Sequence, residues 1–253
     1  MKKIKVGIVN YLNTAPLVYG LQNSSLIHSI DLTSDYPANL ARDLVSNNID
    51  LGLVPVAVIP QLQQWWLVGS HCIGAEGSVA SVCLFSEVPL ASIRTILLDY
   101  QSRTSVELIK ILVRDFWKLS NVKFENAQDG FESRIKGETA AVVIGDRALQ
   151  RRRFSPYSFD LAEAWMSFTG LPFVFAAWVS NKPLDEEFVT AFDEANASGV
   201  KNIDKVIATL DQNSGTNLQE YFTKYISYQL DEKKRLGLQK FLHYLDPKIT
   251  LSM

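Results

Sequence analysis

The chain opens on six residues, IKVGIV from Ile4 to Val9, whose apolar positions predict a short strand buried on both faces. Two amides, Asn10 and Asn13, follow in VNYLNTAPL. A helix is then expected from Thr14 or Ala15, with Pro16 in its first turn, where a missing N–H costs nothing. IHSIDLT reads as a second strand. Pro37 opens PANLARDLVSNN, whose Leu40, Leu44 and Val45 repeat at helical spacing. DLGLVPVAVI then reads as a buried strand running into another turn and helix. This alternation predicts a parallel α/β sheet, a class that binds ligands at strand-to-helix turns such as VNYLN.

The pattern changes near ASVCLFSEVPL. Ser81 to Phe85 reads as a strand and Glu87-Val-Pro-Leu as a crossing into another unit. A second α/β cycle follows: RTILLD as strand, SRTSVELIKILVRDFWKL as helix, VKFENA as strand, FESRIKG as a short helix and TAAVVIGD as strand. GLPFVFAAWVS is an aromatic-rich strand suited to carry the chain back to the first unit. From Pro183 onward the pattern is mainly helical, in DEEFVTAFDEANASGVKN, LQEYFTKYISYQL and EKKRLGLQKFLHYL. Two crossings predict a two-lobed α/β clamp. Lobe I comprises residues 1–84 plus 175–253, lobe II is the inserted 85–174, and a ligand cleft lies between them.

Composition narrows the function. A chain of 253 residues with 47% hydrophobic and 21% charged residues can bury a substantial core. The net charge of −2 gives no field for nucleic acid or an acidic membrane, so an anionic ligand must be held by local groups. Cys72 and Cys83 form neither a disulfide framework nor a metal spacing and suit a reducing compartment. Lys5, Asn10 and Asn13 interrupt the amino-terminal apolar run before a signal-peptide core forms, so a cytoplasmic, unprocessed chain without a membrane span is expected. P-loop, GxGxxG, zinc-cluster and GxSxG patterns are missing, and no cofactor or metal is expected. The sequence is silent on oligomeric state.

Several fragments occur in order: VNYLNTAPL, DLGLVPVAVIP, GSVASVCLFSEVPL, SRTSVELIKILV, VIGDRAL, and Trp165-x3-TGLPFVFAAW. Together they resemble the chorismate dehydratase family of the futalosine route to menaquinone, from about Ile4 to Trp178 and only weakly in the helical tail. The resemblance implies a periplasmic-binding-protein-like type II fold. It also implies loss of water from chorismate, a dicarboxylate, to give 3-[(1-carboxyvinyl)oxy]benzoate. A sister family making 1,4-dihydroxy-6-naphthoate shares the fold but has a Ser- and Pro-rich first turn. A non-catalytic solute-binding protein would call for an export signal, and a transcription regulator for a helix-turn-helix segment.

SRTS, between a strand and a helix, places Ser102, Thr104 and Ser105 at a helix N-terminus suited to a carboxylate. Arg103 serves there either as an ion-pair partner or as a solvated side chain. In GSVAS, Gly77 permits close backbone approach and Ser81 can donate to an anionic oxygen. The resemblance places Asn13 and Ser81 at the reacting centre. Asn10 either contacts substrate or braces the turn. Asp146 in VIGDRAL is the one carboxylate within these fragments with a path to the cleft, though capping the next helix is its commoner duty. Thr169 and Gly170 sit at the expected return crossing, and one aromatic of Trp165, Phe168, Phe173, Phe175 and Trp178 is expected to face the ligand. With His28, His71 and His243 outside the fragments, the substrate's own enolpyruvyl carboxylate is the expected proton acceptor.

Overall fold

A computed structural model describes residues 3–211 and 216–251. The chain runs β1 (Ile4–Val9), α1 (Ala15–Gln22), β2 (Ile30–Asp35), α2 (Pro37–Val45), β3 (Leu51–Pro55), β4 (Trp66–Ala75) and β5 (Val82–Ser86). It continues through β6 (Thr95–Leu98), α3 (Arg103–Ile111), β7 (Lys123–Asn126), β8 (Thr139–Ile144), α4 (Gly145–Arg151), β9 (Tyr157–Asp160) and α5 (Leu161–Thr169). Last come β10 (Phe173–Ser180), α6 (Glu186–Lys201), α7 (Ile203–Ala208), α8 (Leu218–Glu220), β11 (Ser227–Gln229) and α9 (Glu232–Leu245).

The strands form two mixed sheets. One has the order β11-β4-β10-β3-β1-β2 and the other β7-β6-β8-β5-β9. The expected parallel pairing holds where βαβ units exist: β1 lies parallel to β2 and β3, and β6 to β7 and β8. The returning β10 runs antiparallel between β3 and β4, and β5 runs antiparallel between β8 and β9.

Pairing moves both crossings. Because β5 bonds wholly within the second sheet, the first crossing falls between Ala75 and Val82, ahead of Glu87-Val-Pro-Leu. Because β10 bonds wholly within the first sheet, the return falls between Thr169 and Phe173. Ladder hydrogen bonds decide sheet membership, and an apolar run cannot reveal them. The tail also differs from the helix expected for LQEYFTKYISYQL. Its helix is short and ends in a single π turn, Tyr221–Tyr225, after which β11 joins the edge of the first sheet. Ile226, Tyr228 and Leu230 alternate inward there, with period two. β4 and β9 escaped the sequence reading: polar Ser70 and His71 interrupt one, and the other is only YSFD.

Helix α1, which follows the VNYLN turn, is seated on α6 through glycines. A Cβ on Gly20 would lie 2.0 Å from the Ala195 carbonyl oxygen, and one on Gly199 would lie 1.8 Å from that of Pro16. Backbone meets backbone, so neither position accepts a methyl without moving a helix.

Cys72 and Cys83 are free and buried, and burial pushes both thiols up to about 12. At neutral pH neither carries appreciable thiolate, the reactive form. Neither is expected to react with a thiol reagent until the protein unfolds. Labelling of the native protein at the rate of a free thiol would contradict this.

Candidate active site between the two sheets

A narrow cavity lies between the sheets, lined by Asn13, Ser81, Ser102, Thr104, Ser105 and Phe175, with Tyr11, Gln101 and several aliphatic side chains. Five of the expected site residues thus meet at one place. Three structural devices bring them there.

The first is the turn after β1. The chain leaves β1 at Val9 and enters a 3-10 turn, Leu12–Thr14. The buried Thr14 hydroxyl lies 2.8 Å from the Val9 carbonyl and 2.7 Å from that of Tyr11, and donating there pins the turn. The Tyr228 hydroxyl donates to the Asn13 carbonyl at 2.9 Å. Asn13 Oδ1 is buried with no hydrogen-bond partner. An unpaired buried acceptor costs about 1–3 kcal/mol, so this oxygen is free for a ligand.

The second is the crossing segment before β5. Asp160, at the N-cap of α5, accepts the Ser78 hydroxyl at 2.6 Å and the amides of Val79 at 3.0 Å and Ala80 at 2.7 Å. It also accepts the Ala162 and Glu163 amides of its own helix. Ala80 is held at φ +61°, a left-handed conformation that alanine adopts at a cost of roughly 1–2 kcal/mol. Strain of this kind collects at functional sites, and here it aims Ser81, 1% exposed, at the cavity. Ser81 Oγ accepts the Tyr221 hydroxyl at 2.9 Å. Ala80→Gly is expected to leave the unfolding free energy unchanged or raised by up to ~1 kcal/mol, since relief of strain opposes the entropy cost of glycine. Ala80→Val is expected to lower it by about 2 kcal/mol, because a β-branched residue fits this region worst. Denaturant melts of the two variants check the sign.

The third is the start of α3. Ser102 caps it, accepting the Ser105 amide at 3.1 Å and donating to the Ser105 hydroxyl at 2.8 Å. The helix start leaves the Arg103 and Thr104 amides without intrahelical carbonyls, a natural anion seat. The Thr104 hydroxyl accepts the Ala57 amide at 3.3 Å and donates to the Phe175 carbonyl at 3.0 Å. It therefore ties α3 to strand β10 of the other sheet, a role the sequence reading did not assign to it.

Other expected site residues lie elsewhere. Asn10 is exposed and lines a separate crevice with Asp146. Asp146 neither caps α4, whose N-cap is Ile144, nor faces the cavity; its carboxylate accepts the Leu12 amide, and burial pushes its pKa up. Arg103 is exposed and donates to Gln61 at 3.0 Å, which places its charge outside. Gly77 supplies φ +132° to the crossing segment and is not among the cavity residues. Thr169 donates to the Trp165 carbonyl and accepts the Leu171 amide, closing α5.

Sequence reasoning missed four contributors: Tyr11, Gln101, Tyr221 and Tyr228. The Tyr11 hydroxyl donates to Gln101 Oε1 at 2.8 Å across the cleft, and burial pushes its pKa up. Arg147, the guanidinium behind Gln101, is engaged by Asp99 at 2.7 Å and Glu132 at 2.7 Å. Tyr221 and Tyr228 come from the tail, where their spacing carried only a general apolar signal. No Asp, Glu, His, Lys or Arg is among the residues lining the cavity.

Two α/β sheets joined by two crossings, with the cavity at their junction, define a periplasmic-binding-protein-like fold. In structure the chain is similar to a Candida albicans gene product said to exhibit the generic periplasmic binding protein structural fold, with a TM-score of 0.68 and 11% identity. That match covers 100% of this chain and 92% of the other. The family model described as menaquinone biosynthesis matches residues 4–247, and the chain belongs to that family. The match takes in the tail, beyond the Trp178 limit of the motif resemblance. Two relatives are named chorismate dehydratase. The one from Thermus thermophilus is 28% identical over 270 residues, covering 97% of this chain and 96% of the relative. The one from Campylobacter jejuni is 25% identical over 243 residues, covering 93% and 95%. Among the described residues no helix is long and apolar enough to cross a membrane.

Proposed function

We propose that the chain removes water from chorismate to give 3-[(1-carboxyvinyl)oxy]benzoate, with Asn13 and Ser81 at the reacting centre. The family and the two named relatives support the reaction class. The observation that carries the mechanism is the neutral cavity: its polar groups are hydroxyls, amides and a helix start, with no side chain able to serve as a base near neutral pH. The substrate brings its own base. Its enolpyruvyl carboxylate takes the C3 proton, the C3–H electron pair becomes a ring double bond, and the C4–O bond breaks. The departing hydroxide takes the proton from the new carboxylic acid, which gives water and restores the carboxylate. Aromatisation supplies the driving force, so the protein mainly orients the substrate.

The geometry supports a role for each residue. Asn13 Oδ1 accepts the C4 hydroxyl hydrogen, which turns that oxygen's lone pairs toward the incoming proton. Ser81 donates to the same oxygen as it leaves. Ser102, Ser105 and the α3 amides take the ring carboxylate, and Phe175 lies against the ring. The cavity is closed by Tyr11–Gln101, Thr104–Phe175 and Arg103–Gln61. The two sheet-centred lobes therefore part to admit substrate, about crossings near residues 76–81 and 170–172. The unpaired buried cysteines fit work in the cytoplasm.

The test is incubation of purified protein with chorismate, without metal or nucleotide, followed by proton NMR. Signals of a meta-substituted benzoate with the enolpyruvyl group intact are expected. Unchanged chorismate, with turnover of the cyclic futalosine intermediate instead, would assign the chain to the sister reaction.

A further inference from the structure

Tyr221 lies on the π turn at the end of α8, 1% exposed, in the tail that adds β11 to the first sheet. Its hydroxyl donates to Ser81 Oγ at 2.9 Å. The Asn13 side chain lies beside the same phenol and acts on it in the sense of a donor, favouring its charged form. One phenol thus meets both side chains placed at the reacting centre.

A phenol has one hydrogen to give and lone pairs to receive. Its hydrogen is committed to Ser81, so Ser81 cannot return its own hydrogen to Tyr221. That hydrogen points elsewhere, and the side chain borders the cavity. Asn13 Oδ1 has no partner, so the amide meets the phenol through its N–H side. The phenol therefore fixes the polarity of two otherwise ambiguous groups. Ser81 becomes a donor toward the cavity and Asn13 an acceptor toward it. Burial disfavours the phenolate and keeps Tyr221 in the protonated form that this arrangement requires. Tyr228, from the adjoining strand, holds the Asn13 backbone carbonyl at 2.9 Å. Single π turns of this kind recur at functional sites.

We propose that Tyr221 is a positioning residue that sets Ser81 as hydrogen-bond donor and Asn13 as hydrogen-bond acceptor toward the substrate. This rests on the dehydratase reading for what the pair acts upon, but the pair's polarity can be read without substrate.

Tyr221→Phe keeps the ring and removes the hydroxyl. Its kcat with chorismate is expected to fall about 10²-fold, the scale of a misplaced reacting group, with KM within about threefold and the melting temperature lower by about 2–4 °C. The double variant Ser81→Ala/Tyr221→Phe is expected to fall far short of the product of the two single losses, because the residues act as one unit. Crystal structures of wild type and Tyr221→Phe supply a readout free of turnover. In the variant, the Ser81 hydroxyl or the Asn13 amide is expected to leave its wild-type rotamer. Unchanged kcat, multiplying losses, or unmoved Ser81 and Asn13 would each overturn the proposal. If wild type leaves chorismate unchanged, the dehydratase reading falls, and the rotamer comparison still decides the role of Tyr221.

Discussion

Replacing Asn13 by alanine is expected to lower kcat for chorismate by about 10²–10³-fold, the range seen when one preorganised hydrogen-bonding group is removed from a reacting centre. The fold should survive. The turn that carries residue 13 is pinned by Thr14 and Tyr228 through backbone carbonyls, and neither contact involves the Asn13 side chain. What is lost is Oδ1, a buried acceptor already free of internal partners, together with the amide's N–H approach to the Tyr221 phenol. Removing an unsatisfied acceptor relieves a desolvation penalty while loss of the contact to Tyr221 opposes it, so the variant is expected to stay within about 1 kcal/mol of wild type. Lower turnover with an undiminished melting temperature would mark a group kept for chemistry against stability. Turnover at the wild-type rate would remove Asn13 from the mechanism.

Asp160→Asn is expected to cost about 3–5 kcal/mol of unfolding free energy, the range for breaking a buried charged network. The carboxylate accepts from Ser78, Val79 and Ala80 on one side and from Ala162 and Glu163 on the other, and Arg152 lies 3.7 Å away. An amide has only one accepting oxygen, so its NH2 would face donors on one of the two sides. Without those bonds the left-handed backbone of Ala80 keeps only the Ser81 amide's bond to the Val79 carbonyl and the Cys83 thiol on its own carbonyl, and Ser81 is expected to shift with it. Turnover is therefore expected to fall together with stability, unlike the Asn13 case. Chemical denaturation measures the first loss, and the NMR assay at a temperature where the variant remains folded measures the second. A cost under about 1 kcal/mol would mean that the crossing segment is held by other contacts.

Five of the residues that line the cavity were legible in the sequence, and the rest were hidden for identifiable physical reasons. Ser102 and Ser105 stand where a strand gives way to an amphipathic helix, and local signals of that kind survive in a single sequence. Asn13 and Ser81 were legible only as members of an ordered set of fragments. Nothing local separates an asparagine that binds substrate from one that braces a turn, and Asn10, three residues earlier, lies on another crevice. Asp146 and Arg103 lie off the cavity wall although a charged residue beside a site motif attracts a functional reading: one holds the Leu12 amide and the other the Gln61 side chain. Tyr221 and Tyr228 were out of reach for a different reason. Their partners lie 140 and 215 residues distant in sequence, and a tyrosine in an apolar run does not disclose where its hydroxyl ends. The fold class followed from the βαβ rhythm, while β10 and β11 depended on antiparallel pairing that periodicity does not encode.

The Gly20 and Gly199 contact makes the position of the Asn13 amide sensitive to a helix it never touches. Soft side chains can absorb a misfit by changing rotamer, but two peptide backbones in direct contact cannot. A methyl group at position 199 would press on the Pro16 carbonyl, three residues beyond Asn13. The displacement would then be handed to the turn as a rigid shift. Loss of function with an ordinary fold can therefore arise from a position remote from substrate. A mutational survey confined to the cavity wall would not find it, and α6 acts as the datum against which the turn that carries Asn13 is set.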